Sequence, residues 1–222
     1  MQSGAISEKQ MRRAMLLCSL ITLALGISLL VTAFGKGHFL SALLMLVVGL
    51  AAIWAAVKYT LGKNAYGYRG LGDVFVLFFF GPVAVCGVSF LHLKALENAV
   101  LLPALGYGFL AAGVLNINNM RDRENDRDSG KNTLIVKIGG ETARSYHFLL
   151  VLLSLTCYTV YVFLASGAAW LALASFLPVL VNTFQVLRYR GHPAGYNRFL
   201  KGLAVSSLLS AVLFVFCLFF FS

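Results

Sequence analysis

Charge is what this 222-residue sequence has least of. Asp, Glu, Lys and Arg fill 12% of its positions, about half the ~25% usual in soluble domains. Acids are the scarcer sign, 8 against 18 Lys+Arg, for a net charge of +10. The four cysteines form no CxxC pair, which removes thiol redox motifs and zinc knuckles. Cys18, Cys86, Cys157 and Cys217 lie inside apolar runs and are expected to be small buried apolar residues, neither disulfide-bonded nor metal-bound. No HExxH, nucleophile elbow or GxxxxGK[ST] occurs, so those routes to hydrolysis and nucleotide binding lack their residues. What fills the chain is apolar: 59% of it is hydrophobic. A soluble core of this length could not hide so much apolar surface. That excludes an ordinary cytosolic enzyme, a disordered chain and a nucleic-acid-binding domain.

A membrane helix needs about 20 apolar residues to cross a hydrocarbon layer of ~30 Å. Seven such runs occur, near 14–35, 39–57, 74–93, 99–118, 147–165, 168–187 and 202–221, and none contains Asp, Glu, Lys or Arg. The first is too long for a secretory signal and lacks a small-residue cleavage site. The connectors 1–13, 58–73, 119–146 and 188–201 carry 16 Lys and Arg, whereas the alternate ones carry only Lys36 and Lys94. That asymmetry predicts a cytoplasmic N-terminus and an outward C-terminus. The excess of bases is thus a topology signal and calls for no nucleic-acid partner. The expected fold is an all-α polytopic transmembrane bundle in one domain, 1–222, surrounded by membrane lipids. Trp54, Trp170 and His147, at the ends of runs, read as interface or packing residues.

Half of the acids fall within seven positions: Asp122, Glu124, Asp126 and Asp128. They follow the polar tip of the fourth run, Asn116-Ile117-Asn118-Asn119, with no proline between, and Gly130 is a plausible helix C-cap. If the helix continues, Asn119, Asp122 and Asp126 share one face, with the two Asp Cβ atoms roughly 5–6 Å apart. Two carboxylates so placed can hold Mg²⁺, which leaves its other positions to water and substrate phosphate. Arg121, Arg123, Arg127 and Lys131 could neutralise a diphosphate. A solvated loop of locally paired charges is the competing reading.

The other polar connector, 58–73, packs four glycines, three tyrosines and three bases into 16 residues. An aromatic-belt turn with topogenic bases accounts for that composition. A lid that brings Lys63 or Arg69 to a phosphate and tyrosines to a ring accounts for it as well. Asp73, just before an apolar run, reads as a helix N-cap.

Two long stretches carry a resemblance. One is Tyr59-Thr60-x-Gly62-Lys63-x-x-Tyr66-Gly67-Tyr68-x-Gly70-Leu71-Gly72-Asp73, followed by Phe79-Phe80-Gly81. The other is Leu115-Asn116-Ile117-Asn118-Asn119-x-Arg121-Asp122-x-x-x-Asp126-x-x-x-Gly130-Lys131-Asn132-Thr133-Leu134. Both resemble signatures of the UbiA-type intramembrane prenyltransferases, most closely the branch that prenylates 1,4-dihydroxy-2-naphthoate in menaquinone synthesis. The resemblance runs over nearly the whole chain. It implies a nine-span helical bundle around a central cavity, in a bacterial inner or plasma membrane with the active-site loops cytoplasmic. It further implies Mg²⁺, a polyprenyl diphosphate that ionises to an allylic cation, and an aromatic acceptor that loses carboxylate as it is prenylated. Carried across, Asp122 and Asp126 are metal ligands, supported by Asn118 and Asn119. Arg121, Lys131 and Lys63 are diphosphate contacts, and Tyr66 and Tyr68 line the wall or stabilise the cation. Asp128 matches no ligand position.

The family's first Asp-rich motif, NDxxDxxxD-like, has no counterpart in this sequence, and residues 1–13 resemble the stretch just downstream of it. The expectation is a family member short of two helices and one metal motif, and inactive or nearly so by itself. A related branch using homogentisate or 4-hydroxybenzoate, and a non-catalytic membrane fragment or transporter, remain open alternatives. Transport finds little support, since no charge lies inside a run.

Overall fold

A computed structural model describes residues 6–60, 65–164 and 169–221. Eight α-helices account for most of them: α1 (Glu8–Phe34), α2 (Phe39–Thr60), α3 (Gly72–Phe78), α4 (Ala84–Leu93), α5 (Asn98–Asp128), α6 (Leu134–Leu164), α7 (Leu177–Arg188) and α8 (Tyr196–Phe221). No strand occurs among the described residues. Helices α3 and α4 are one span interrupted by a π-turn, Phe79–Val83, and α7 is prolonged on its N-terminal side by a 3₁₀ segment, Ala169–Phe176. Seven stretches are therefore long and apolar enough to cross a membrane, as the apolar runs predict.

The helices outrun those apolar runs where the sequence turns polar. Helix α5 continues ten residues past Asn118 to Asp128, and α6 begins at Leu134. The 119–146 connector is thus mostly helix, with its turn confined to 129–133. That turn has a Schellman form. Gly130 sits at φ 71°, its N–H donates to Arg127 O (3.0 Å), and the Lys131 N–H donates to Asp126 O (2.8 Å). Glycine takes that left-handed conformation without a Cβ penalty. The expected C-cap is in place. A second interruption, Gly139 at φ 78° and ψ 166°, breaks α6 after its first turn.

Helix α5 is the axis of the molecule, packing against α3, α4, α6 and α8. Its glycines make this possible. A Cβ on Gly81, in the π-turn, would lie 2.6 Å from Ala104 O and 2.8 Å from Gly108 Cα, so α3 and α5 touch backbone to backbone. Small residues are the usual device for close helix approach in membranes, where water supplies no drive for association. On another face, Gly106 receives the Tyr158 ring, which packs with Phe176 and Phe214 in the core shared by α5 to α8. Helices α1 and α2 lie outside that core: Phe34 is the one buried residue described in α1, against Phe90 of α4. Their broad apolar faces are left for lipid.

Three sequence expectations need correction. None of the four cysteines is buried: Cys18 is exposed and the others are half-buried, and all four are free thiols. Their apolar neighbours are lipid-facing as often as core-facing, which run composition does not distinguish. His147 is no interface residue; it is wholly buried, beside Gly113 and Leu203, because α6 starts thirteen residues before it. Asp73 is not an N-cap. The helix starts at Gly72, two positions earlier than an Asp73 cap would give, with Leu71 as cap and the Phe75 N–H donating to Leu71 O, which draws Asp73 into the first turn and buries it.

Candidate functional site

The polar end of α5 builds a cavity of about 250 Å³ with the loop that precedes α3. Asn118, Asn119, Asp122 and Asp126 line it from the helix, Lys131 and Thr133 from the turn beyond, and Tyr59, Gly67 and Tyr68 from the opposite side. The loop is tied to that turn by backbone: the Asn132 N–H donates to Tyr68 O (3.0 Å), and Lys137 Nζ donates to Arg69 O (2.7 Å). Gly67 and Gly70 are sterically required. A Cβ on Gly67 would stand 2.6 Å from Tyr59 O, and Gly70 takes φ 83°. The glycine-rich composition of 58–73 is thus explained by a chain folded tightly against both α2 and the 129–133 turn.

Each carboxylate of the helical pair already has a base. Arg121 grips Asp122 with two donors, Nε to Oδ1 at 2.7 Å and a terminal nitrogen to Oδ2 at 2.6 Å. The same guanidinium reaches Asn118 Oδ1 (2.8 Å) and Asn197 Oδ1 at the start of α8 (3.1 Å). Asp126 is 4% exposed, and Lys131 Nζ lies 3.0 Å from its Oδ1. Burial alone would lower the Lys131 pKa, but the hydrogen bond and charge of Asp126 raise it above its usual value. The ammonium also sits over the Tyr68 ring, 5.5 Å from its centroid. The cavity's two carboxylates are thus neutralised from within the chain. Polyanion and divalent cation could enter together by partner exchange, the bases turning to the anion and the carboxylates to the metal.

Two carboxylates one helical turn apart and facing one cavity fit a magnesium site. Among the described residues there is no group of three or more His, Cys, Asp and Glu that could ligate an ion, so the chain's described contribution is this pair.

A second cavity, about 580 Å³ and almost wholly apolar, opens beside the first between α2, α3 and the π-turn. Ala52, Ala55 and Ala56 give it width, and Phe75, Phe79 and Phe80 wall it. Tyr59 lines both cavities. Tyr66 belongs to the apolar one. Its ring stacks on Phe75 at 3.8 Å, its hydroxyl donates to Ala55 O (2.8 Å), and burial followed by neighbouring Tyr59 pushes its phenol pKa up.

Of the residues singled out from sequence, Asn118, Asn119, Asp122, Asp126, Lys131 and Tyr68 come together at one cavity. Arg121 stands behind Asp122, and Tyr66 lies in the adjoining space. Lys63 lies outside the described residues. Sequence reasoning missed the double position of Tyr59, the contribution of Thr133, and Asn197, which lies 76 positions from the arginine it holds. Tyr59 and Thr133 had a signal, as members of the two family-like stretches; Asn197 had none.

The chain is 38% identical over 218 residues to the 1,4-dihydroxy-2-naphthoate octaprenyltransferase of Escherichia coli (strain K12), covering 97% of this chain and 70% of that one. It is 36% identical over 215 residues to the protein of the same name from Haemophilus influenzae, covering 96% and 69%. A more distant relative is UbiA prenyltransferase domain-containing protein 1 of Gallus gallus, 30% identical over 170 residues, 77% of this chain and 49% of that one. No solved structure matches the chain significantly. A model of the UbiA prenyltransferase family matches residues 1–208, and with the paired carboxylates and the adjoining apolar cavity this places the chain in that family of prenyltransferases.

Proposed function

We propose that the chain transfers a polyprenyl group from polyprenyl diphosphate to 1,4-dihydroxy-2-naphthoate, with Mg²⁺ and with loss of the carboxylate, giving the quinol form of a demethylmenaquinone. The observation that carries this reading is the side chain of Tyr59, which lines both the polar and the apolar cavity. A substrate with a diphosphate head and a long apolar tail has its reacting carbon at the junction of those two parts. Lys131 and Arg121 bind the head, Phe75 and Phe79 border the tail, and Tyr59 and Tyr68 offer aromatic faces to the developing allylic cation. Asp122 and Asp126 would hold Mg²⁺, which when bound supplies positive charge to the leaving diphosphate. Asn118, between Arg121 and Asp122, keeps both in register (2.8 and 3.5 Å). The names of the bacterial relatives support the acceptor. The asymmetry of basic connectors supports a bacterial inner or plasma membrane location with the polar cavity on the cytoplasmic side.

One carboxylate pair leaves much of the diphosphate charge unclamped, so turnover by the 222-residue chain by itself is expected at trace level. Equilibrium binding of a polyprenyl diphosphate to the chain in lipid nanodiscs, with and without Mg²⁺, tests the site. Mass-spectrometric product analysis with the naphthoate tests the reaction. Binding indifferent to Mg²⁺ would remove the metal reading. Fast turnover would overturn the expected weakness, and product from homogentisate or 4-hydroxybenzoate alone would favour the related branches.

A further inference from the structure

Asp73 is an acid that the reaction outlined above leaves unused. It is 4% exposed, and its Oδ1 is buried with no hydrogen-bond partner. An unpaired acceptor kept from water costs free energy, which a ligand O–H placed against it would recover. Its place is specific. Asp73 stands on α3 at i−3 from Val76 and i−7 from Phe80, two residues that line the apolar cavity, so it continues their stripe one turn toward the polar end. The Tyr59 hydroxyl packs against the adjoining Gly72, 3.7 Å from where a Cβ would be. Among the described residues, the ionisable groups that feel the carboxylate are Tyr59 from α2 and Tyr146 from α6. A carboxylate with one unpaired oxygen therefore sits near Tyr59, the residue that joins the two cavities.

We propose that Asp73 is the base that takes the proton of the ring hydroxyl next to the acceptor's carboxylate, and the acid that returns it. The inference rests on the acceptor reading given above. The ring carbon bearing the carboxylate attacks C1 of the prenyl chain as the C1–O bond to diphosphate breaks, its electron pair leaving with diphosphate. The neighbouring hydroxyl becomes a ketone, and its proton passes to Asp73. The product of this step is a β-keto carboxylate. It loses carbon dioxide, the released electron pair re-forms the aromatic ring as an enolate, and Asp73 gives the proton back to that oxygen. Diphosphate, carbon dioxide and a prenylated quinol leave, Asp73 is regenerated, and no oxidant is consumed. A carboxylate that both receives and returns a proton needs shelter from water and no competing partner, which is the situation of Oδ1.

The test reads the bound acceptor and needs no turnover. The chain in lipid nanodiscs is titrated at neutral pH with 1,4-dihydroxy-2-naphthoate, and the absorption spectrum of the bound ring is recorded. The wild-type chain should shift the band to longer wavelength, as a ring hydroxyl hydrogen-bonded to a carboxylate does. Asp73→Asn should bind acceptor and Mg²⁺–polyprenyl diphosphate within about fivefold of wild type, a loss well under 1.4 kcal/mol, yet leave the band where it lies in buffer. Asp73→Ser, smaller and neutral, should behave alike and stands in if the amide variant fails to fold. A long-wavelength shift that persists unchanged in either variant overturns the assignment, as does a variant that no longer binds the ring at all. If the wild-type chain binds the diphosphate but no naphthoate, the acceptor reading itself falls. If it binds naphthoate without a shift, only the role of Asp73 falls.

Discussion

Replacing Gly81 by alanine adds one carbon where the π-turn and α5 meet backbone to backbone. The new Cβ would stand 2.6 Å from Ala104 O and 2.8 Å from Gly108 Cα, where ordinary contact begins at 3.4 Å. The shortfall is about 0.8 Å, and both obstacles are backbone of α5, so no side chain can rotate away. The two helices must separate, at a cost of about 1–3 kcal/mol for overpacking. Gly26 is the control: nothing lies within 4 Å of its Cβ position, and Gly26→Ala should be neutral or gain up to about 1 kcal/mol from helix propensity. Reversible unfolding of both variants by SDS in bicelles gives the two free energies. The same separation would move Phe75 of α3 and Phe79 of the π-turn away from the Asp122–Asp126 face of α5, so polyprenyl diphosphate affinity should fall in Gly81→Ala and hold in Gly26→Ala. Parity of the two variants within about 0.5 kcal/mol would refute the backbone contact and the argument for how the cavities are held together.

Other outcomes follow from the site. Asp122→Ala should abolish Mg²⁺-dependent binding of polyprenyl diphosphate while leaving the fold intact; retained metal dependence, read by calorimetry with and without EDTA, would remove Asp122 from the ligand pair. Lys131→Gln should strengthen Mg²⁺ binding in the absence of diphosphate, by freeing Asp126, and weaken it in its presence; Mn²⁺ titration followed by electron paramagnetic resonance separates the two. Tyr66→Phe should cost about 0.5–1.5 kcal/mol of stability through its lost bond to Ala55 O with little change in ligand affinity, a split that unfolding and binding measurements read directly. Cysteines introduced at Lys36 and Arg198 should be labelled by an impermeant thiol reagent from opposite faces of membrane vesicles, and labelling from one face would contradict the topology drawn from basic connectors.

What the sequence made legible is what depends on near neighbours. The spans follow from runs of apolar residues, and the continuation of α5 from the absence of proline after Asn116. The pairing of Asp122 with Asp126 follows from helical periodicity, and the stop from Gly130, whose φ of 71° is where a glycine cap belongs. What it left illegible depends on helix register. Nothing near Arg121 points to Asn197, since that contact requires α8 to start beside α5. Tyr66 reads from composition as a ligand-wall tyrosine, but its hydroxyl is committed to the Ala55 carbonyl on α2. His147 stands at the edge of an apolar run, but a helix starting at Leu134 carries it into the core.

Asp73 shows why this division matters for function. As a letter before an apolar run it has every mark of an N-cap, a role that would have paired its oxygens with nearby backbone. A shift of the helix start by two positions changes its chemistry entirely, because the cap duty falls to Leu71, which has no side-chain oxygen to offer. The carboxylate is then enclosed by α3 and its neighbours with one oxygen unpaired. The local sequence thus forgoes an easy stabilising contact near Tyr59, the residue that lines both cavities. A group held so is worth its cost only where something else completes it, and the acceptor's hydroxyl is the partner of matching polarity that the proposed reaction brings there.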